Sequence, residues 1–311
     1  MKYIRDTLNF HVDEPSVITF GKFDGLHRGH EYLMEKQIEQ NLKYGYKRIV
    51  FTFDIPPKDE VSKEKSKVIT TNDEKYFIFE KSGVDYLIEC PFNKDVMMMD
   101  PVVFIKWIVK VLNVRCIVVG NDFRFGYKRA GDHELLKTLE KEFGYELIVV
   151  DKVKDDCRDI SSTYIRDEIL KGNIKKANQL LGYPFFIRGN VVHGNQIGRT
   201  IGIPTINIPI PEEKILPPFG VYVSKVLVKD EWYMGVSNIG RKPTIGAENP
   251  IGLETYIIDF NQDIYDQVVT VEMYDFIRSE MKFPSIDKLK EQMSADIMRT
   301  IKYYKNVTQI C

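Results

Sequence analysis

The chain has 311 residues, 43% of them hydrophobic and 29% charged, with a formal net charge of −1. That length accommodates two domains, each able to bury its own core, and the balanced charge excludes a global basic field of the kind that holds nucleic acid. The four cysteines, Cys90, Cys116, Cys157 and Cys311, are far apart and form no Cys-x-x-Cys pair, which points to a reducing compartment rather than a disulfide framework.

"MKYIRDTLNF" is broken by Arg5 and Asp6 and lacks the apolar core of a signal peptide. "SVITFGKF" is rich in β-formers and leads into a helical pattern from about Gly29 to Lys43, stopped by Gly45. The strand "RIVFTF", a loop with charges of both signs, a helix over 72–81 and the strand "YLIEC" follow. "PVVFIKWIVKVLNV" carries Lys106 and Lys110, is too short to span a bilayer, and reads as an amphipathic helix. The strand "CIVVG", a helix over 133–143 and the strand "ELIVVD" complete an alternation that predicts a parallel, Rossmann-like sheet with helices on both faces. Ligands of such sheets sit beyond the C-terminal strand ends. Both "GKFDGLHRGH" and "GNDFRFG" fall there.

"SSTYIRDEILKGNIKKANQLLG" predicts two short helices, with Ser162 as N-cap and Gly172 and Gly182 as terminators. Beyond Gly182, "FIRGNVVHG", "TINIPI", "GVYVSKVLV", "WYMGVSNI", "LETYIIDF" and "VVTVEMYDFI" predict six short strands of a small antiparallel β-barrel, followed by a final helix. The expected domains are therefore 1–182 and 183–311.

His27 and His30 admit three readings: half of a zinc site, a phosphate-handling turn, or an ordinary helix start. A zinc site would need two further ligands, and His11, His133, His193 and the scattered cysteines offer no recognisable pair. Glycines at 21, 25 and 29 let backbone N–H groups approach an anion, and a helix N-terminus adds its dipole. Histidines three apart share one side of that terminus and can donate to phosphate oxygens. Phosphate handling is the preferred reading. Thr205 and Asn207 alternate with Ile206 and Ile208, which places two polar groups on one strand face.

"GKFDGLHRGH" resembles the Gly-x-Phe-Asp-Gly-x-His-x-Gly-His turn of nucleotidyltransferases in the version found in bacterial FAD synthetases; "GNDFRFG" and "ISSTYIR" resemble that family's second and third motifs. "GRTIGIPTIN" is similar to the Gly-Arg…Pro-Thr-x-Asn signature of riboflavin kinases, and "GVY", "GVSNIGRKPT", "LETYIIDF" and "IRSEMKF" follow in that family's order. The resemblance covers nearly the whole chain and is to the bifunctional riboflavin kinase/FAD synthetases. It implies phosphorylation of riboflavin to FMN and adenylylation of FMN to FAD, with ATP as co-substrate and Mg²⁺ as cofactor.

By the same resemblance, His27 and His30 are catalytic for adenylyl transfer. Gly21, Phe23, Asp24, Gly25, Ser162, Thr163 and Arg166 bind nucleotide there, and Asn121, Asp122 and Phe123 contact flavin. In the second module it implies Glu254 as general base, Thr205 and Asn207 on Mg²⁺, Gly194, Gly198 and Arg199 at the phosphates, and Arg278 at the flavin. Two departures stand in the first module: Pro56 replaces an expected histidine in "TFDIPP", and Asp159 occupies a position commonly basic. A monofunctional kinase with a weakened first module and a non-catalytic flavin sensor are the alternatives. The expected setting is cytoplasmic, as a monomer or weak oligomer, without membrane or nucleic-acid partners.

Overall fold

The structure is a computed structural model that describes residues 1–53, 67–194, 198, 202–241 and 251–308. Pro56, Arg199 and Cys311 lie outside the described residues. Contacts divide the chain into two compact units, Met1–Ser66 with Asn72–Ser162, and Lys67–Thr71 with Thr163–Cys311.

The first unit is built on a six-stranded parallel sheet in the order β1 (Lys2–Arg5), β4 (Tyr86–Cys90), β3 (Lys47–Phe53), β2 (Ser16–Phe20), β5 (Val114–Gly120) and β6 (Glu146–Val150). The apolar runs fit strands covered on both faces. Ile18, Phe20, Ile49, Phe51, Ile117 and Val119 form one face of the core with Phe104, Ile105 and Ile108 of α3 (Pro101–Val111) and Leu136 and Leu139 of α4 (His133–Phe143). The alternate residues Val17, Val50 and Val118 are equally buried on the other face. Helix α1 (Arg28–Tyr44) packs against β2, β3, β5 and β6, and its buried Gln37 donates to the carbonyls of Val17 and Ile49 at 3.1 and 2.8 Å.

Gly45 stops its helix as expected from sequence, and further caps appear that the sequence reading did not name. Asp100 and Asp132 cap α3 and α4 through backbone N–H groups, and Gly45 and Gly144 close α1 and α4 in the left-handed region. Helix α2 (Asn72–Lys81) follows β3 in the chain. The edge strand β1 has no counterpart in the sequence reading. It is held by backbone pairing to Tyr86–Glu89 and by a Tyr3–Glu89 hydrogen bond.

The second unit opens with helices α5 (Ser162–Leu170) and α6 (Ile174–Leu181), which end at left-handed Gly172 and Gly182. Ile174, Ala177, Leu180 and Leu181 of α6 are buried, and Asn178 donates to the Met273 carbonyl and accepts from Phe185 N–H, each at 2.8 Å. These contacts draw α6 into the second unit, ahead of the boundary expected at Gly182, and α5 falls in the same unit.

Six antiparallel strands follow in the order β7 (Phe186–Asn190), β12 (Val268–Ser279), β9 (Gly220–Val228), β10 (Glu231–Arg241), β11 (Ile251–Ile257) and β8 (Thr205–Pro209). A Val192–Asn207 bridge brings the two ends of the sheet together, so the barrel is nearly closed. The approach is tight: a Cβ on Gly189 would lie 2.8 Å from Ile208. Inside, Ser237 Oγ bonds Ser224 Oγ at 2.7 Å and Thr255 Oγ1 at 2.8 Å, a buried polar chain whose hydroxyls satisfy one another. Helix α7 (Ile286–Thr308) packs on β9 and β10.

Candidate active sites

In the first unit, β2 and β5 are neighbours in the sheet although two other strands lie between them in the chain. Their C-terminal ends form the point where strand order reverses, where such sheets bind ligands. Beyond β2, Phe23 takes a positive φ of 48° and folds its ring back over Gly21, where a Cβ would meet ring carbons at 3.0 Å. The ring also packs edge-on against Phe79 at 5.5 Å and tilts against the His30 imidazole at 5.0 Å. The aromatic ring therefore fixes the turn that presents Asp24, Gly25 and His27.

His27 is the N-cap residue of α1, and its carbonyl accepts from His30 and Glu31 N–H at 2.7 and 3.1 Å; its side chain caps nothing. The two imidazoles instead stack, with centroids 3.9 Å apart and 25° between planes. Nδ1 of each is buried without a hydrogen-bond partner among the described residues. Burial pushes the His27 pKa down to about 4, against the smaller upward pull of Asp24 and Asp122. Burial and the neighbouring His27 hold His30 well below the ordinary range. Both rings are thus neutral at pH 7 and offer N–H donors. Buried nitrogens left without partners at a helix N-terminus suit an anion's oxygens.

Asn121, Asp122 and Phe123 extend from the end of β5. Asn121 Nδ2 donates to Asp151 Oδ1 at 2.9 Å, and Asp122 pairs with Lys152 at 3.0 Å. Phe123 stacks between Phe20 at 5.5 Å and Phe125 at 5.3 Å, an apolar platform beside the turn. Ser162 is a correction to the sequence reading. It occupies the first helical position rather than the N-cap, and its hydroxyl donates to the Asp24 carbonyl at 2.8 Å, tying the third motif to the first. Thr163 and Arg166 follow on α5 in the second unit, where Arg166 Nε donates to the Lys67 carbonyl at 3.2 Å. Asp159, read from sequence as a lost basic position, pairs with Lys152 at 3.4 Å. Lys152 itself carried no motif.

In the second unit, a cavity of about 410 Å³ opens between the barrel's outer face and α7, lined by Thr205, Asn238, Glu254, Tyr256, Arg278 and Asp296 among others. Glu254 sits mid-strand in β11, directly opposite Asn207 of β8 and Asn238 of β10. Opposed residues share a sheet face, so the pairing assembles Asn207, Glu254 and Asn238 in one row, with Thr205 opposite Tyr256 beside it. Arg278 does reach this cavity. Its guanidinium is gripped by the buried Asp296 carboxylate, Nη2 at 2.7 Å and Nε at 3.0 Å, while Gln292 holds the other oxygen at 2.9 Å. Asn238 and Asp296 were missed in the sequence, since nothing local distinguishes Asp296 from the other polar residues of an amphipathic helix.

Asn207 is 5% exposed and its Oδ1 has no partner among the described residues. Gly194 leaves the space this amide occupies, because a Cβ there would come within 2.4 Å of Nδ2. Gly198 is required as well: its Cβ would lie 2.3 Å from the Ile203 carbonyl oxygen, whose own N–H closes a turn onto Gly198 at 2.8 Å. A second cavity of about 370 Å³, lined by Val191, Ile206, Phe260 and Tyr265 among others, shares Thr205 with the first. His193 stacks on Tyr265 at 3.8 Å.

A family model described as FAD synthetase matches residues 9–164, and one described as riboflavin kinase matches residues 181–304. The bifunctional riboflavin kinase/FMN adenylyltransferase of Bacillus subtilis is 37% identical over 94% of this chain and 93% of its own. The protein of that description from Haemophilus influenzae is 37% identical over 98% of this chain and 100% of its own. Among solved structures, a chain described as a macrolide-efflux protein from Streptococcus pneumoniae superposes with a TM-score of 0.83 at 34% identity, covering 96% of this chain and 97% of that one. Among the described residues, no helix is long and apolar enough to cross a membrane.

Proposed function

Because the chain belongs to the bifunctional riboflavin kinase/FMN adenylyltransferase family, we propose that adenylyl transfer occurs at the His27–His30 turn and phosphoryl transfer in the cavity of Glu254. The chain is an enzyme that phosphorylates riboflavin to FMN and adenylylates FMN to FAD, with ATP as substrate of both steps. The kinase-only and sensor readings are set aside. The functional boundary is placed near Gly182, with α5 and α6 as structural support for the kinase barrel.

In adenylyl transfer the FMN phosphate oxygen attacks the α-phosphorus of ATP and pyrophosphate leaves. The nucleophile arrives ionised, so no protein base is needed. Neutral His27 and His30 donate to phosphate oxygens as charge builds on them, and the N-terminal N–H groups of α1 add their dipole. Ser162 steadies the loop at Asp24, and Asn121, Asp122 and Phe123 receive the flavin.

In the kinase, Glu254 takes the proton from the ribityl hydroxyl as that oxygen attacks the γ-phosphorus of ATP and ADP leaves, and Arg278 borders the flavin. Gly194 and Gly198 border the phosphates, and the second cavity takes the nucleoside end of ATP. The buried, unpartnered Oδ1 of Asn207 fits a hard cation, and Thr205 beside it supplies a second neutral oxygen. Bound there, Mg²⁺ would neutralise phosphate charge. The cytoplasm suits unpaired thiols such as Cys90 and Cys116, both pushed up to about 12 by burial. We take the protein as a monomer or weak oligomer without nucleic-acid partners.

The observation that carries this division is that the stacked histidines and Glu254 fall in different compact units. The test is chromatography of flavins after incubating full-length variants with ATP and Mg²⁺. His27→Ala should lose FAD formation by about 10²–10³-fold while still making FMN from riboflavin. Glu254→Gln should do the reverse. Loss of both activities in either variant, with folding intact, would reject the division.

A further inference from the structure

At the C-terminal edge of the parallel sheet, the Lys152 ammonium stands 3.0 Å from Asp122 Oδ2 and 3.4 Å from Asp159 Oδ2. Lys152 follows β6 and Asp122 follows β5, and these strands are parallel neighbours. The Asn121–Asp151 hydrogen bond makes the same crossing one residue earlier, so two side-by-side links pin this corner. Asp122 lies within the electrostatic reach of His27.

A polyanion arriving beside His27 and His30 meets an awkward set of charges. The two imidazoles are neutral, while Asp24, Asp122 and Asp159 are carboxylates. Lys152 reduces the sum over itself, Asp122 and Asp159 to one negative charge. Its side chain is 40% exposed, and its ion partners are 64% and 42% exposed. Ion pairs that wet are weak and exchange readily for a more highly charged partner. Lysine has a flexible four-carbon stem and a compact charge, which suits such a swing.

We propose that Lys152 is a triphosphate-binding residue of the adenylyl transfer site: Asp122 and Asp159 hold it at rest, and its ammonium turns to the ATP phosphates when the nucleotide enters. This rests on the assignment of the His27–His30 turn to adenylyl transfer. Asp159 then acts as the resting partner of a cation that has moved to position 152.

The test uses the full-length chain, with FAD formation from FMN followed across ATP concentrations and riboflavin phosphorylation measured on the same preparations. Lys152→Met should raise the KM for ATP at least tenfold, change kcat less than threefold, and leave riboflavin phosphorylation intact. Lys152→Arg should stay within threefold of the parent. Lys152→Gln, which keeps most of the stem and a polar end, should follow the methionine variant and covers the case in which that variant misfolds. An ATP KM within twofold of the parent, or a fall in kcat with KM unchanged, overturns the proposal. His27→Ala separates the premises: if it abolishes FAD formation while Lys152→Met does nothing, only the lysine assignment fails; if neither matters, the site assignment fails.

Discussion

Asp296 joins α7 to the wall of the cavity that holds Glu254, and its removal should be felt in both stability and catalysis. Its side chain is 4% exposed and that of Arg278 is 18% exposed. The carboxylate accepts from Arg278 Nη2 at 2.7 Å, from Nε at 3.0 Å, and from Gln292 at 2.9 Å. After Asp296→Ala, the guanidinium keeps the Ser279 carbonyl at 3.1 Å and the face of Phe283 at 5.7 Å, but no counter-charge among these contacts. Breaking a buried pair from one side costs about 3–5 kcal/mol. Residual exposure of Arg278 and its remaining carbonyl bond place this case at the low end, about 3 kcal/mol. For a unit of this size that is roughly 6–12 °C in Tm. Asp296→Asn keeps the volume and one acceptor oxygen, so its loss should be smaller. The assay is calorimetry of the full chain, resolved into the two units, with riboflavin phosphorylation alongside. Because Arg278 shares the cavity with Glu254, the KM for riboflavin should rise about tenfold. A second-unit Tm within 2 °C of the parent would refute the claim that this pair holds α7 in place.

Acid should selectively weaken the first unit. The folded-state pKa of His27 is about 4, below its ordinary value near 6.5, so the neutral form stabilises fully above 6.5 and that contribution fades as pH falls toward 4, by about 3 kcal/mol at pH 4. His30 adds in the same direction. Urea midpoints of the parent and His27→Gln between pH 7.5 and 4.5 should converge on acidification, and parallel curves would contradict a buried neutral imidazole. Gly194→Ala should cut riboflavin phosphorylation at least tenfold and raise the Mg²⁺ needed, because its Cβ would displace the Asn207 amide; FAD formation from FMN is the control, and unchanged Mg²⁺ dependence would count against Asn207 as a ligand. A fragment of residues 163–311 should melt well above one of residues 183–311, since the latter loses the buried face of α6, worth about 1.5–3 kcal/mol for each fully buried Leu or Ile. Equal melting would show that α6 is not structural support.

Where a local pattern decided the outcome, the sequence was a reliable guide. The parallel alternation, the six barrel strands and the glycine stops at 45, 172 and 182 all rest on short-range chemistry, and the structure has them where the pattern placed them. The turn ahead of α1 was legible because glycine spacing and paired histidines are local too. Long-range effects were not legible. Strand β1 exists through backbone pairing with Tyr86–Glu89, and four residues without alternation carry no signal of it. Ser162 looks like an N-cap until the Asp24 carbonyl, 138 residues earlier, is there to take its hydroxyl. Glu254 and Asp296 reach one cavity only after β11 and α7 are brought together. Asp159 looks like a lost cation only while Lys152 is out of view.

The short segment Lys67–Thr71 belongs to the second unit, although the residues on both sides of it belong to the first. Its backbone pairs with Glu213 and Ile215, and the Ile69 carbonyl accepts from the buried Lys214 at 2.7 Å, a partner made 145 residues later. At the 5–20 residues per second of ribosomal synthesis, that is a wait of roughly 7–30 s. During this interval the nascent first unit can complete its parallel sheet, but Val68 still lacks its bonds to Glu213 and Ile215, and the Ile69 carbonyl its bond to Lys214. A chain truncated before Glu213 would carry that defect permanently, offering proteases and chaperones a handle on unfinished chains that the completed chain withdraws.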